Sequence, residues 1–343
     1  MKKNVLFIDA TTVREGGCFT LLQYLAQYLN DNNHKFVVFG NTELKENLKN
    51  QNVEVKVANI FDVLRLYVLG KNKTLYFCNR GPLLACRDSA IYLQTEYATL
   101  KLIDVYKLNI KSTRKVAHTI NYIMNKLSSL IGNNRYFVQT PHMQRQLKDN
   151  LGIDSAILPF FPNLKVTASE FKKYDFCYIS YPWPHKQHNL LLDFLLTSSN
   201  DIPGISCALT IPDDGRFASL INKINEINSE GIHRIKNLGS VPKEDILSVY
   251  AQSKALLMLS LKESFGLPLI EACQAGVPII APNLEYVSSI LDNYHPINVF
   301  DSKIFAEDMR KYLRLLKANS LGCSNLVISD GVSDLVLALE GKR

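Results

Sequence analysis

The sequence predicts an α/β protein built from two doubly wound, parallel-sheet domains. Three observations carry that prediction. Short runs of consecutive apolar residues recur without the alternation of a half-exposed strand, as in sheets covered on both faces. Between many of them lie stretches with apolar residues at helical spacing, which suits crossover helices. The 343 residues exceed one ordinary domain, and a hydrophilic stretch at residues 163–173 offers a boundary. The expected division is residues 1–165, residues 166–317 and a tail at 318–343 that carries no legible chemistry.

Composition narrows the class. With 47% hydrophobic and 21% charged residues the chain is ordinary globular material. No run of about twenty apolar residues marks a membrane span, and Asp9 cuts the N-terminal apolar stretch too short for a signal peptide. Seven cysteines, with no C-x-x-C pair, read as reduced core thiols of a cytoplasmic protein and not as a zinc site. Charge is divided unevenly: residues 1–165 hold 22 Lys+Arg against 12 Asp+Glu, and the remainder 17 against 20. Such asymmetry points to a partner that only the first half meets.

In the first domain, residues 4–10 (NVLFIDA) read as a buried strand. A loop over 11–18 containing Gly16-Gly17 follows, then a helix over 19–29 with Leu21, Leu22, Leu25, Tyr28 and Leu29 on one side. A strand, a paired-glycine loop and a helix can bring backbone amides close to an anionic ligand. Two glycines alone are a weak signal, and Asp9 beside them reads as a structural cap. Further strands fall at 35–39, 53–57, 74–78 and 90–93. Residues 97–126 then carry six Lys/Arg against one acid, interleaved with Leu, Ile, Val and Tyr. That pattern suits a basic surface lying on anionic lipid, the inner face of a cell membrane. The plain alternative is a solvated helix pair whose lysine stems cover apolar surface. No nucleic-acid-binding motif accompanies the charge. A strand at 135–139 and a helix opened by Thr140-Pro141 complete the domain.

The second domain opens with a strand at 174–180, the loop Tyr181-Pro182-Trp183-Pro184-His185-Lys186-Gln187-His188-Asn189 and a helix over 190–196. Lys186 sits just before that helix, where a cation meets a phosphate beside a helix N-terminus. His185 and His188 have no carboxylate partner nearby, so no metal site is read there. Strands at 205–211 and 235–238 and a helix after Pro242 continue the alternation.

The most informative stretch is 256–282, LLMLSLKESFGLPLIEACQAGVPIIAP. It reads as a strand at 256–261, a polar turn with Gly266 supplying backbone freedom, and a helix entered through Pro268. Gly276 stops that helix before a second strand at 277–281. Glu263 lies at the carboxyl end of the first strand, where open parallel sheets bind ligands. Glu271 lies about two helical turns further on. Amides around Phe265, Gly266 and Leu267 point out of a helix N-terminus, as a phosphate site needs. A carboxylate on the turn can accept from sugar hydroxyls, and one on the helix face can grip a ribose diol. The plain alternative is a strand-helix-strand unit with two solvated glutamates.

ESFGLPLIEA followed by AGVPIIAP closely resembles the retaining GT-B glycosyltransferases of the "glycosyl transferases group 1" family, also called glycosyltransferase family 4. Those proteins carry two glutamates separated by seven residues, with a run matching Ser264-Phe265-Gly266-Leu267 between them. The likeness covers residues 175–300 well and the first half loosely. It implies two Rossmann-like domains facing across a cleft that closes on a nucleotide-sugar. It assigns Glu263 to the sugar hydroxyls and catalysis, Glu271 to the ribose, and Lys186 with residues 264–267 to the diphosphate. The Gly16-Gly17 loop would face donor phosphate and acceptor. The resemblance further implies no metal and no cofactor besides the donor, which leans towards a UDP-sugar. The implied acceptor is a lipid-linked glycan for surface polysaccharide, such as O-antigen or capsule.

Two departures stand out. The family's acceptor-side histidine is absent from Tyr92-Leu93-Gln94-Thr95-Glu96-Tyr97, leaving Gln94 or Glu96 at its place. The family's diphosphate arginine reads here as Tyr181 or Trp183. These losses favour a rival reading as a degenerate GT-B scaffold, whereas the intact Glu263/Glu271 pair opposes it. A nucleotide-sugar epimerase would show more acids and histidines in the first domain, and a dehydrogenase would show G-x-G-x-x-G after the first strand.

Overall fold

The apolar runs named above overlap strands of two parallel sheets, one in each of two units. The strand expected at 256–261 lies earlier, at Ser253–Leu257. The computed structural model describes residues 5–341 apart from 15, 50–52, 68–72, 84–88, 108–111, 132–133, 165, 167–168, 170, 199–201 and 203. One unit is Met1–Pro162 with Ser329–Arg343, and the other is Asn163–Ile328.

The first sheet has seven strands: β1 (Leu6–Asp9), β2 (Phe36–Gly40), β3 (Val55–Val57), β4 (Thr74–Tyr76), β5 (Ala90–Tyr92), β6 (Arg135–Val138) and β7 (Ala156–Ile157). Their order is β3-β2-β1-β4-β5-β6-β7, and neighbours pair in parallel. The order reverses direction between β1 and β4. At that point Asp9 is fully buried. Its Oδ1 accepts from the Thr11 amide (3.1 Å) and hydroxyl (2.8 Å), while Oδ2 accepts from the Tyr67 hydroxyl and from Cys78 Sγ at 3.1 Å. A carboxylate satisfied on both oxygens and closed to solvent is the cap that the sequence suggested.

The first helix begins at Gly16, not after Cys18 as expected, and runs Gly16–Asp31. Gly16 and Gly17 are therefore its exposed first turn instead of a preceding loop. Gly16 takes φ +74°, a conformation that glycine reaches without steric cost, and this lets the helix start early. The basic stretch forms a short helix, Leu102–Lys107, and a long one, Ser112–Ile131. Lys111 of that stretch lies outside the described residues.

The second sheet contains β8 (Tyr174–Tyr178), β9 (Ser206–Leu209), β10 (Arg234–Asn237), β11 (Ser253–Leu257) and β12 (Ile279–Pro282). After β13 (Leu291–Asp292) comes β14 (His295–Ile297), which completes it in the order β10-β9-β8-β11-β12-β14. β13 pairs instead with β15 (Asn325–Leu326), antiparallel. Here the direction reverses between β8 and β11. The loops leaving those two strands are thus neighbours, the arrangement that makes a ligand crevice in doubly wound sheets.

The expected boundary at 165/166 and the separate tail from 318 give way to a different division. The unit boundary falls after Pro162, and residues from Ser329 onward return to the first unit. The physical reason is the helix Val332–Leu339, which buries Val332, Leu335, Val336, Ala338 and Leu339. Asp330 fastens its start, accepting from the Tyr24 hydroxyl (2.5 Å) and the Phe161 amide (3.1 Å). The amphipathic helix Ser302–Lys317 stays in the second unit, packed on β14 and the helix His188–Thr197.

Candidate functional site

The β8 and β11 loops meet through backbone and side chains. The Leu261 amide donates to the His185 carbonyl at 2.8 Å, stitching one loop to the other. Between them Lys186 Nζ forms an ion pair with Glu263 Oε1, both side chains being 14% exposed. The two residues assigned from sequence to diphosphate and sugar are therefore one partly desolvated pair at the switch point.

Local structure holds each partner in place. Lys186 ends a single 3₁₀ turn, Pro184–Lys186, and Gln187 follows in the left-handed region at φ 55°. A non-glycine residue there costs about 1 kcal/mol and persists only where its surroundings determine it. The buried Tyr178 hydroxyl does so by donating to the Lys186 carbonyl. His188, the first residue of the next helix, stacks its ring on Tyr178 at 4.5 Å. Burial first, and the Lys186 charge second, push the His188 imidazole down to about 3, so the ring stays neutral beside the cation. It is a packing element here.

On the β11 side, Tyr286 donates to the Ser260 carbonyl at 2.8 Å and the Ser260 hydroxyl to the Lys262 carbonyl at 2.9 Å. Glu263 and Ser264 follow on that anchored turn, and the Phe265 ring is buried. Gly266 caps the helix Leu267–Gln274 with φ +68°, and a Cβ there would sit 3.2 Å from Leu269 Cδ1. A side chain there would carry the strain of positive φ and press on Leu269. The Leu269 amide donates to the Gly266 carbonyl at 2.8 Å, and the Leu267 amide stands at the positive end of the helix.

Glu271 turns towards a third element, the helix Lys243–Ala251. Its Oε2 accepts from Tyr250 at 3.1 Å. Burial raises the Glu271 carboxyl above its ordinary range, while the Lys243 charge and the Tyr250 hydroxyl partly oppose this. Burial lowers Lys243, which Glu271 partly restores. Lys243 and Tyr250 went unnamed in the sequence reading. The signal was a lysine directly after the turn Gly239-Ser240-Val241-Pro242.

Tyr181 and Trp183 hold the positions at which an arginine was expected. Tyr181 packs on Trp183, with ring centroids 4.9 Å apart. The Arg216 guanidinium, from the loop after β9, lies 5.5 Å from the Tyr181 ring centroid. Arg216 comes from a neighbouring strand's loop and is ion-paired there with Asp214. Gly16 and Gly17 belong to the first unit.

Glu271→Gln offers a direct check on the third element. A carboxyl raised in the folded state stabilises the fold at low pH and loses that contribution as pH rises through its folded pKa. The neutral isostere should therefore melt higher than wild type near neutral pH, with no gain at about pH 3, where both states are protonated. It should also bind nucleosides about tenfold more weakly. A melting profile parallel to wild type at every pH would remove the buried-carboxylate account.

Two parallel, doubly wound units with the ligand edge of the second built in this way define a GT-B architecture. The second unit carries the matching domain: residues 168–326 fit the family model for glycosyl transferases group 1. Among curated proteins, the chain is 37% identical over 57 residues to O-antigen chain mannosyltransferase B of Escherichia coli. That match spans 17% of this chain and only 15% of the relative. Among solved structures, HepE of Anabaena in complex with UDP and glucose superposes with a TM-score of 0.68 at 14% identity, over 97% of this chain and 95% of that one. WaaG, a glycosyltransferase involved in lipopolysaccharide biosynthesis, gives 0.63 at 13% identity, over 92% of each chain. At such identities the likeness establishes the fold, and the fold is GT-B.

Proposed function

We propose that the protein is a retaining, metal-independent glycosyltransferase that moves a sugar from a nucleotide-sugar, a UDP-sugar by lean, to a lipid-linked glycan acceptor. The product would serve surface polysaccharide such as O-antigen or capsule, assembled at the inner face of the cell membrane. The observation that carries this reading is the Lys186–Glu263 pair at the β8/β11 switch point, beside the Gly266-capped helix. The complexes and roles named for HepE, WaaG and the mannosyltransferase are consistent with it.

The chemistry follows from the charges. Breaking the bond between sugar and diphosphate builds negative charge on the leaving oxygen. Lys186 and the positive helix end stabilise that charge. Glu263 accepts hydrogen bonds from hydroxyls of the transferred sugar, and Glu271 from the ribose. The acceptor hydroxyl attacks the anomeric carbon from the side the diphosphate leaves, and its proton passes to a leaving phosphate oxygen. No protein base is then required. Gly16 and Gly17 of the first unit are assigned to the donor phosphate and the acceptor.

A thermal-shift screen with UDP, GDP, ADP and dTDP, each with and without magnesium, tests this reading. One nucleotide should raise the melting temperature equally in both conditions, because a ligand binding only the folded state stabilises it by mass action. Silence from all four would transfer the case to a degenerate scaffold.

A further inference from the structure

Two cysteines of the second unit stand where distant parts of the chain meet. Cys273 lies near the end of the helix Leu267–Gln274, which starts at Gly266 and carries Glu271. Cys323 lies just before β15. The Cys273 thiol donates to the Ser324 carbonyl at 3.1 Å, and the Cys323 thiol donates back to the Gly276 carbonyl at 3.2 Å. Each sulfur thus reaches the backbone of the segment that holds the other. The loop around Cys323 is held from further sides as well. His295 Nε2 donates to the Gly322 carbonyl at 2.9 Å, and the Asn325 amide to Asp292 Oδ1 at 3.2 Å.

The expectation that all seven cysteines are core thiols does not hold here. Cys323 is exposed and Cys273 half-buried, whereas Cys78, Cys177 and Cys207 are closed to solvent. Burial pushes the Cys177 thiol up to about 12 and raises Cys207 well above its ordinary value, so these two stay protonated and out of reach. Burial raises the Cys273 thiol too, and the neighbouring Cys323 sulfur and Asp292 charge raise it further. Cys323 is therefore the sulfur that an oxidant in solution meets first.

We propose that Cys273 and Cys323 form a modification site, a dithiol that hydrogen peroxide converts into a disulfide joining the end of this helix to the loop before β15. The Cys323 sulfur attacks one peroxide oxygen, the O–O bond breaks, and the second oxygen leaves as water, giving a sulfenic acid. The Cys273 thiol then loses its proton and bonds to the Cys323 sulfur, and the sulfenic oxygen leaves as the second water. Two thiols give up two electrons and two protons, and one peroxide becomes two waters. The two segments already touch in the reduced protein, so the bond fastens an existing arrangement. Oxidation of Cys323 then stops at the disulfide instead of running on to the irreversible sulfinic acid, and the helix bearing Glu271 keeps its place.

Peptide mapping of the full-length protein after hydrogen peroxide, digested without reductant, tests this. The peptides carrying Cys273 and Cys323 should appear joined, lighter by two hydrogens than the separate pair, and come apart with dithiothreitol. Cys273→Ser should block the joining and leave at Cys323 a sulfenic acid that dimedone traps, whereas wild type should give little adduct. Cys323→Ser should leave Cys273 unmodified. Both variants should melt close to the reduced wild type, and the joined protein a few degrees higher, since a cross-link restricts the unfolded chain. Wild type in which Cys323 runs on to sulfinic acid, or pairs with a second copy while Cys273 remains a thiol, overturns the proposal. So does a joined protein that melts lower than the reduced one. None of these readouts involves a nucleotide or sugar transfer.

Discussion

Glu263→Gln should lower the rate of sugar transfer by about a hundredfold or more and leave UDP affinity within about threefold. The carboxylate stands on a turn whose backbone Tyr286 and Ser260 hold, so the fold of the turn does not depend on its charge. Glutamine retains an acceptor for Lys186 but lacks the charge-assisted grip on sugar hydroxyls that strengthens as the sugar becomes electron-poor. Steady-state rates with calorimetric UDP titration separate the two quantities. A variant with wild-type turnover would remove Glu263 from catalysis, and a variant that fails to fold would make it structural.

The second large effect belongs to Lys186. Lys186→Met should weaken UDP by roughly ten- to a hundredfold and leave uridine unchanged, because the cation addresses phosphate alone. Equal loss for both ligands would instead mean that the β8 loop had collapsed. The ion pair adds a further expectation. A diphosphate arriving at Lys186 competes with Glu263 for the ammonium, so donor binding releases the carboxylate for the sugar hydroxyls. In the unliganded protein, either single change leaves a charge at 14% exposure without its partner. The double variant should therefore lose less melting temperature than the sum of the singles, the mark of direct coupling.

The strand-forming runs were legible because parallel strands covered on both sides must be apolar throughout. The core of the site was legible because Gly266, Glu263 and Glu271 lie within nine residues of chain. What escaped the sequence comes from distant segments. Arg216 reaches Tyr181 from another strand's loop, and Tyr250 reaches Glu271 across two helices. Linear spacing carries no trace of such pairings. The start of the first helix was misplaced because glycine's low helix propensity argued against Gly16 and Gly17, yet positive φ at Gly16 is a permitted way into a helix. The final helix was missed for another reason. Its moderate length and apolar composition fit any core, and only Asp330, bonded to Tyr24 and Phe161, shows which one it joins.

That last helix has a consequence for biogenesis. A ribosome delivers the seven strands of the first sheet early, yet the segment that covers part of their core emerges about 170 residues after Pro162, once the whole second unit has been made. The second unit is one uninterrupted stretch, so it can reach its final state during synthesis while the first, begun earlier, waits as an unfinished intermediate. Released chains truncated before Val332 should thus be protease-resistant over residues 163–328 and sensitive before them.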